Sequence, residues 1–285
     1  MSLDLPTPLV STTWLAAHLH DPSLRLFDAS WYLPTAGRSG HAEYEAAHIP
    51  GAVFADLDAL ADERAPYPHT MPSPERLAER LGALGIGNGH AVVVYDGSGQ
   101  NFSAPRLWWM LRTMGATVAV LDGGLPRWRA EGHAVTTDVT TYPATTFSPN
   151  FDPSRWRDLA DMRRNASDGG EQVVDARSPG RFSAEEAEPR AGVRGGHIPG
   201  ARNVHYATLV DGDGLLLPAE ALQARFAAAG MQLDGPITAS CGTGITACAV
   251  LLALDVAGAR QTALYDGSWT EWGSQPDTPV ETGGA

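Results

Sequence analysis

His48-Ile49-Pro50-Gly51-Ala52 is repeated residue for residue as His197-Ile198-Pro199-Gly200-Ala201, at an offset of 149. Two further motifs recur in the same order, at offsets of 147 and 144: Leu26-Phe27-Asp28-Ala29 returns as Val173-Val174-Asp175-Ala176, and Leu121-Asp122-Gly123-Gly124 with Trp128 returns as Tyr265-Asp266-Gly267-Ser268 with Trp272. Chance does not preserve both order and spacing, so one domain is written twice. At roughly 150 residues per domain, the 285-residue chain holds two copies, each large enough to bury its own core. Between them a threonine- and proline-rich stretch without apolar periodicity reads as a linker. The expected division is 1–140, a linker at 141–153, and 154–285.

Within each copy, short apolar runs alternate with amphipathic segments. Leu24 to Phe27, Ala91 to Tyr95 and Val118 to Leu121 read as buried strands, and Pro74 to Leu84 and Ala104 to Met114 as helices. The second copy repeats the pattern with strands at Gln172 to Val174, Pro236 to Ser240 and Thr262 to Tyr265, and helices at Ala219 to Ala229 and Thr246 to Val256. Near-continuous apolar strands separated by helices predict a parallel sheet covered on both faces. The fold class expected is α/β, two tandem domains, each a parallel sheet flanked by helices.

Thirty-three acidic against twenty basic residues give a formal charge of −13 on a 43% apolar chain. That excess repels phosphate backbones and anionic headgroups, which argues against nucleic acid and membrane surfaces as partners. Met1 to Val10 shows neither a basic nor an apolar leader region, and no run approaches the roughly 18 apolar residues of a membrane span. The two cysteines, Cys241 and Cys248, form neither a disulfide framework nor a zinc spacing. A reducing, cytoplasmic location is expected.

The chemistry concentrates at Ser240-Cys241-Gly242-Thr243-Gly244-Ile245-Thr246, where a strand ends and an apolar helix begins. Two glycines let successive N–H groups turn toward the sulfur, and the following helix points its positive end at the same place. Both features stabilise a thiolate at Cys241 and make it the expected nucleophile. Cys248, inside the apolar helix, reads as a small core residue. In the first copy Asp96 stands where the cysteine would be, so that copy is expected to be catalytically silent.

These residues resemble the tandem rhodanese-domain sulfurtransferases, whose second domain carries the cysteine. The likeness covers nearly the whole chain: both His-Ile-Pro-Gly motifs, Ser103-Ala104-Pro105-Arg106 with Trp108-Trp109, and Tyr265-Asp266-Gly267-Ser268-Trp269. Within the family, a Cys-Gly-Ser/Thr-Gly-Val/Ile-Thr loop marks the branch that acts on 3-mercaptopyruvate, whereas the thiosulfate branch has a basic Cys-Arg-Lys-Gly loop. Cys241 to Thr246 is similar to the former and carries no cation. The resemblance implies that Arg181 and Arg190 bind the substrate carboxylate and carbonyl, with Gly242, Gly244, Ile245 and Thr246 completing the substrate site. Surface pairing of these arginines with Glu185, Glu186 or Glu188 is the competing expectation. The resemblance also implies a relay in which Asp58 fixes His69 and His69 polarises the Thr243 hydroxyl.

His48 and His197 occur in both copies, including the silent one, and read as structural hydrogen-bonders. Trp108 and Trp109 read as packing residues. With no phosphate-binding glycine loop and no metal-ligand cluster, no cofactor is expected. A Cys-x5-Arg phosphatase loop is excluded by Ala247. The expected reaction moves the sulfur of 3-mercaptopyruvate through a Cys241 persulfide to thioredoxin, a small thiol or cyanide, releasing pyruvate. The alternatives are a thiosulfate:cyanide sulfurtransferase and a non-catalytic persulfide carrier.

Overall fold

The computed structural model describes residues 3–5 and 8–284. The chain divides into two compact units, each with a five-stranded sheet. The first sheet contains β1 (Leu9–Val10), β2 (Leu24–Asp28), β3 (Ala52–Phe54), β4 (Ala91–Tyr95) and β5 (Thr117–Leu121) in the order β1-β5-β4-β2-β3. The second contains β6 (Trp156–Arg157), β7 (Gln172–Asp175), β8 (Arg202–Asn203), β9 (Ile237–Ser240) and β10 (Thr262–Tyr265) in the order β6-β10-β9-β7-β8. Every pairing in both sheets is parallel. The α/β tandem architecture expected from the repeats is the one observed.

Parallel strands need helical crossovers, and the crossovers bury both faces of the sheet. All five residues of β4 are therefore buried, which is why this segment reads as an unbroken apolar run. The helix Pro74–Ala83 starts where Ser73 accepts from the Arg76 amide and Pro74 supplies a fixed φ; it buries Leu77, Ala78 and Leu81. The helix Ile245–Val256 is apolar on every side and buried from Ala247 through Leu254, packed on β9, β10 and the helix Ala219–Ala228. Three strands per copy were expected; β1, β3, β6 and β8 are two or three residues long, too short to show a period.

In each sheet the chain runs from the second-to-last strand to the edge, then crosses back to the centre. This places a topological switch point between β2 and β4, and again between β7 and β9. Crevices at the carboxyl ends of such strand pairs are where open α/β sheets bind ligands.

The units are not contiguous in sequence. Arg64–Thr70 belongs to the second unit and Val210–Leu216 to the first. In the second unit, Gln275 Nε2 donates to the Tyr67 hydroxyl at 2.9 Å. In the first, the Leu216 amide donates to Asp122 Oδ1 at 2.9 Å. Residues 141–152, expected as linker, belong to the first unit. There the Thr145 amide donates to Gly82 O at 2.9 Å, and the Tyr142 hydroxyl accepts from Leu26 N and donates to Gly51 O. Gly82 permits this approach, since a Cβ there would lie 2.4 Å from Thr145 O.

Candidate active site

β9 is the central strand of the second sheet, and the chain turns at its carboxyl end into Cys241. Cys241 is buried, and its Sγ accepts from the Gly244 amide at 3.2 Å. The turn requires φ +82° at Gly244, which a side chain would oppose, and the helix Ile245–Val256 begins at the next residue. The sulfur thus sits at the positive end of a twelve-residue helix with a backbone donor aimed at it. Ile245 is buried in the first turn and Thr246 is half-buried beside it. Cys248 Sγ donates to Gly244 O at 3.2 Å and is wholly buried, as expected of a core residue.

A second loop holds the first. Ser268 Oγ accepts from the Cys241 amide at 3.1 Å and donates to Tyr265 O at 2.9 Å. The Trp269 and Thr270 amides donate to Cys241 O and Gly242 O, each at 2.9 Å. Ser268 holds φ +51°, a left-handed conformation that costs an L-residue, and its side chain is fully buried. Sequence inspection alone did not single out this serine for the site; the signal was its replacement of Gly124, which has φ +54° in the first copy.

Thr243 is half-buried, and its Oγ1 lies 2.8 Å from His69 Nδ1. His69 is buried and adopts φ +63°. The expected pairing of these two side chains is thus present within the second unit. Asp58 lies in the first unit, in the short helix Leu57–Leu60, where its Oδ2 accepts from Trp31 Nε1 at 3.2 Å.

The loop after β7 supplies the cations. Arg177 and Asp175 are buried together, with Arg177 Nη2 2.6 Å from Asp175 Oδ2 and Nη1 2.7 Å from Glu188 Oε1. Burial alone would push the Arg177 guanidinium down; the two carboxylates outweigh it and raise it above the usual arginine range. Arg181 spends Nε and Nη2 on Glu188, at 3.1 and 2.6 Å. Its fork is therefore already filled, and a ligand carboxylate meets the Nη1 side unless it displaces Glu188. Arg190 is exposed and makes no hydrogen bond or ion pair with another described residue. The buried Asp175-Arg177 pair was missed, although Ser30 in place of Arg177 in the first copy marks it as peculiar to the second.

The repeated histidines are structural, as expected. His48 lies 2.7 Å from Tyr44 O and 3.1 Å from Asp138 O, and His197 lies 2.9 Å from Phe182 O and stacks on the Phe182 ring. Trp108 and Trp109 are buried under the guanidiniums of Arg112 and Arg106. Among the described residues, no group of three His, Cys, Asp or Glu side chains is placed to hold a metal ion, and no helix is long and apolar enough to cross a membrane.

The model of the Rhodanese-like domain matches residues 11–131 and again 158–275. The chain belongs to the rhodanese family. It is 43% identical over 99% of its length to thiosulfate/3-mercaptopyruvate sulfurtransferase 1 of Arabidopsis thaliana, a mitochondrial protein of which the match covers 80%. It is 42% identical to 3-mercaptopyruvate sulfurtransferase of Escherichia coli K12, over 96% of this chain and 98% of that one. Among solved rhodanese folds, SseA of Escherichia coli superposes with a TM-score of 0.84 at 40% identity, covering 92% of this chain and 99% of that chain. Tum1 of Saccharomyces cerevisiae does so with 0.88 at 30% identity, covering 97% and 99%. Within this rhodanese chain, the cysteine loop, the Thr243-His69 pair and the Arg177-Glu188-Arg181 cluster all belong to the second unit.

Proposed function

We propose that this rhodanese-family sulfurtransferase transfers the sulfur of 3-mercaptopyruvate through a persulfide on Cys241 to a thiol acceptor, releasing pyruvate. The observation that carries the proposal is the Cys241 sulfur at the end of the central strand, facing the Gly244 amide, in a loop whose next hydroxyl, Thr243, is paired with His69. A loop without Lys or Arg beside the nucleophile suits a monoanionic ketoacid thiol better than doubly charged thiosulfate. Relatives named as 3-mercaptopyruvate sulfurtransferases are similar over nearly the whole chain.

The Cys241 thiolate attacks the substrate sulfur. The C–S bond breaks with its electron pair going to carbon, so the outer sulfur stays on Cys241 and pyruvate leaves as its enolate. Arg181 and Arg190 offset the negative charge on carboxylate and enolate oxygen, with Gly242, Gly244, Ile245 and Thr246 lining the site. Thr243, through His69, supplies the proton that turns the enolate into pyruvate. Asp58 enters only through the family resemblance, as the residue that fixes His69. A thiolate acceptor then attacks the outer sulfur and returns Cys241; thioredoxin or a small thiol fills this role, and a dithiol releases hydrogen sulfide. The first domain, 1–140 with Asp96 in place of the cysteine, is non-catalytic, and the cytoplasm is the proposed site of action.

The test is an intact mass after exposure to 3-mercaptopyruvate alone. A reducible gain of one sulfur atom mapping to the Cys241 peptide, with stoichiometric pyruvate, is expected; no pyruvate would leave a carrier role. Because the Arabidopsis relative is named for both donors, thiosulfate is the second substrate to compare. A higher kcat/KM on thiosulfate would overturn the donor assignment.

A further inference from the structure

His69 is brought to Thr243 by a segment without regular structure of its own. Arg64–Thr70 lies between the helices Leu57–Leu60 and Pro74–Ala83 and belongs to the second unit, while Glu63 and Met71 on either side belong to the first. The His69 backbone is left-handed, at φ +63°. An L-residue keeps that conformation only where its surroundings impose it. The contact with Thr243 is one such constraint. A second lies two residues upstream, where the Tyr67 hydroxyl accepts from Gln275 Nε2 at 2.9 Å.

Both ends of this bond are stiff. Pro66 and Pro68 flank Tyr67, fixing their own φ and disfavouring helical backbone at Tyr67. Thr70 Oγ1 donates to Tyr67 O at 2.9 Å, which closes a turn around His69. On the other side, Gln275 follows the helix Ser268–Trp272, whose last residue is wholly buried. The Arg194 guanidinium staples the chain there, donating to Gly273 O, Gln275 O and Thr278 O at 3.1, 2.6 and 3.0 Å. A shift of the Tyr67 ring is therefore passed on to the His69 ring.

We infer, resting on the function proposed above, that Tyr67 is a positioning residue: latched to Gln275, it sets His69 against the Thr243 hydroxyl in the geometry that proton delivery to the enolate requires. Tyr67 itself touches no reacting atom in this scheme. Holding a proton-transfer pair within hydrogen-bond reach acts on the chemical step, so the latch bears on kcat and leaves substrate binding alone.

Tyr67→Phe removes only the hydroxyl. At saturating thiol acceptor, kcat for pyruvate release from 3-mercaptopyruvate is expected to fall roughly tenfold, with KM within about twofold of wild type. Gln275→Leu removes the other end of the same bond and is expected to match it, and the double variant is expected to lose no more than either single one. In a His69→Ala background, adding Tyr67→Phe is expected to change kcat by less than about twofold. Wild-type kcat in a folded Tyr67→Phe enzyme overturns the latch. So does a loss that persists undiminished in the His69→Ala background, since the hydroxyl then acts elsewhere. Should Tyr67→Phe fail to fold, Gln275→Leu reads the same bond from its other end. His69→Ala with wild-type kcat would overturn the proton step assigned to His69, and wild-type enzyme that makes no pyruvate would overturn the reaction itself.

Discussion

The loops after β4 and β9 occupy equivalent places in the two sheets, yet each fills its ring of backbone donors differently. In the first unit Asp96 Oδ1 accepts from the Ser98 amide and hydroxyl, and Oδ2 accepts from the Ser103 and Ala104 amides at 2.9 Å. A carboxylate fixed to the chain sits at the N-terminus of the helix Ala104–Thr113 and uses up its donors. In the second unit the helix starts four residues after Cys241, not eight as after Asp96, and the sulfur itself takes the position. The duplicated fold supplies an anion seat twice. One copy closes it with its own side chain, and the other leaves it to the sulfur of Cys241, the proposed nucleophile.

The difference is broken most completely at the sulfur. Cys241→Ser is expected to lower sulfur transfer by about three orders of magnitude or more, since an alkoxide is not available at neutral pH, while Cys248→Ser changes it by less than about threefold. Steady-state pyruvate release measures both, and equal losses would point to a dithiol reaction and undo the assignment of a single nucleophile. The counterpart change, Asp96→Ala, leaves its amide donors without an acceptor, and roughly 3 to 4 kcal/mol of stability is expected to go with them. Urea unfolding reads this; a loss below about 1 kcal/mol would mean that the first seat does not need its anion.

On the strand next to each of these loops, in register with the residue before Asp96 or Cys241, the copies diverge again. Asp175 faces Arg177, whereas its equivalent Asp28 meets neutral partners: Ser30, whose amide and hydroxyl donate to Oδ1, and the Tyr95 hydroxyl. Burial, reinforced by the neighbouring Asp96 charge, raises the Asp28 carboxyl to about 6. Because the folded value is raised, this group favours the fold fully below about pH 4 and loses that contribution as pH climbs through about 6. Asp28→Asn keeps an oxygen for Ser30 and removes the titration. Its stability relative to wild type is expected to improve by up to about 3 kcal/mol between pH 4 and 7. Parallel unfolding free energies across that range would show that Asp28 is not under this penalty.

Much of this is legible in the sequence. The repeats place Cys241 and Asp96 at equivalent positions, and buried runs such as Ala91–Tyr95 announce their strands because both faces are covered. The helix Ile245–Val256 was found within one residue of its start. The two-residue strands Leu9–Val10 and Arg202–Asn203 were not, since pairing, not periodicity, defines them. The exchange of Arg64–Thr70 and Val210–Leu216 also has no local signature. For Arg181 the sequence leaves substrate binding and pairing with Glu185, Glu186 or Glu188 as alternatives; that Glu188 takes its Nε and Nη2 depends on how a loop folds over Arg177, which spacing does not reveal.

The smallest expected effect comes from making the second copy resemble the first at its clamp. Ser268→Gly converts the residue beneath Cys241 into the glycine found at position 124. Glycine relieves a left-handed backbone cost of about 1 kcal/mol. The lost hydroxyl removes one bond to the Cys241 amide and one to Tyr265 O, together about 2 kcal/mol. The balance is a destabilisation of about 1 kcal/mol, and an unfolding curve reads it. Turnover should fall several-fold with KM little changed, because the amide that sets the direction of the cysteine is no longer held. Were stability to rise and kcat to stay put, the serine would be an accident of descent, and backbone bonds would suffice to hold the second copy's loop. Both outcomes are informative because Trp269 N and Leu125 N make the same bond in each copy, to Cys241 O and Asp96 O. That shared bond fixes the loop in either case and isolates what the hydroxyl adds.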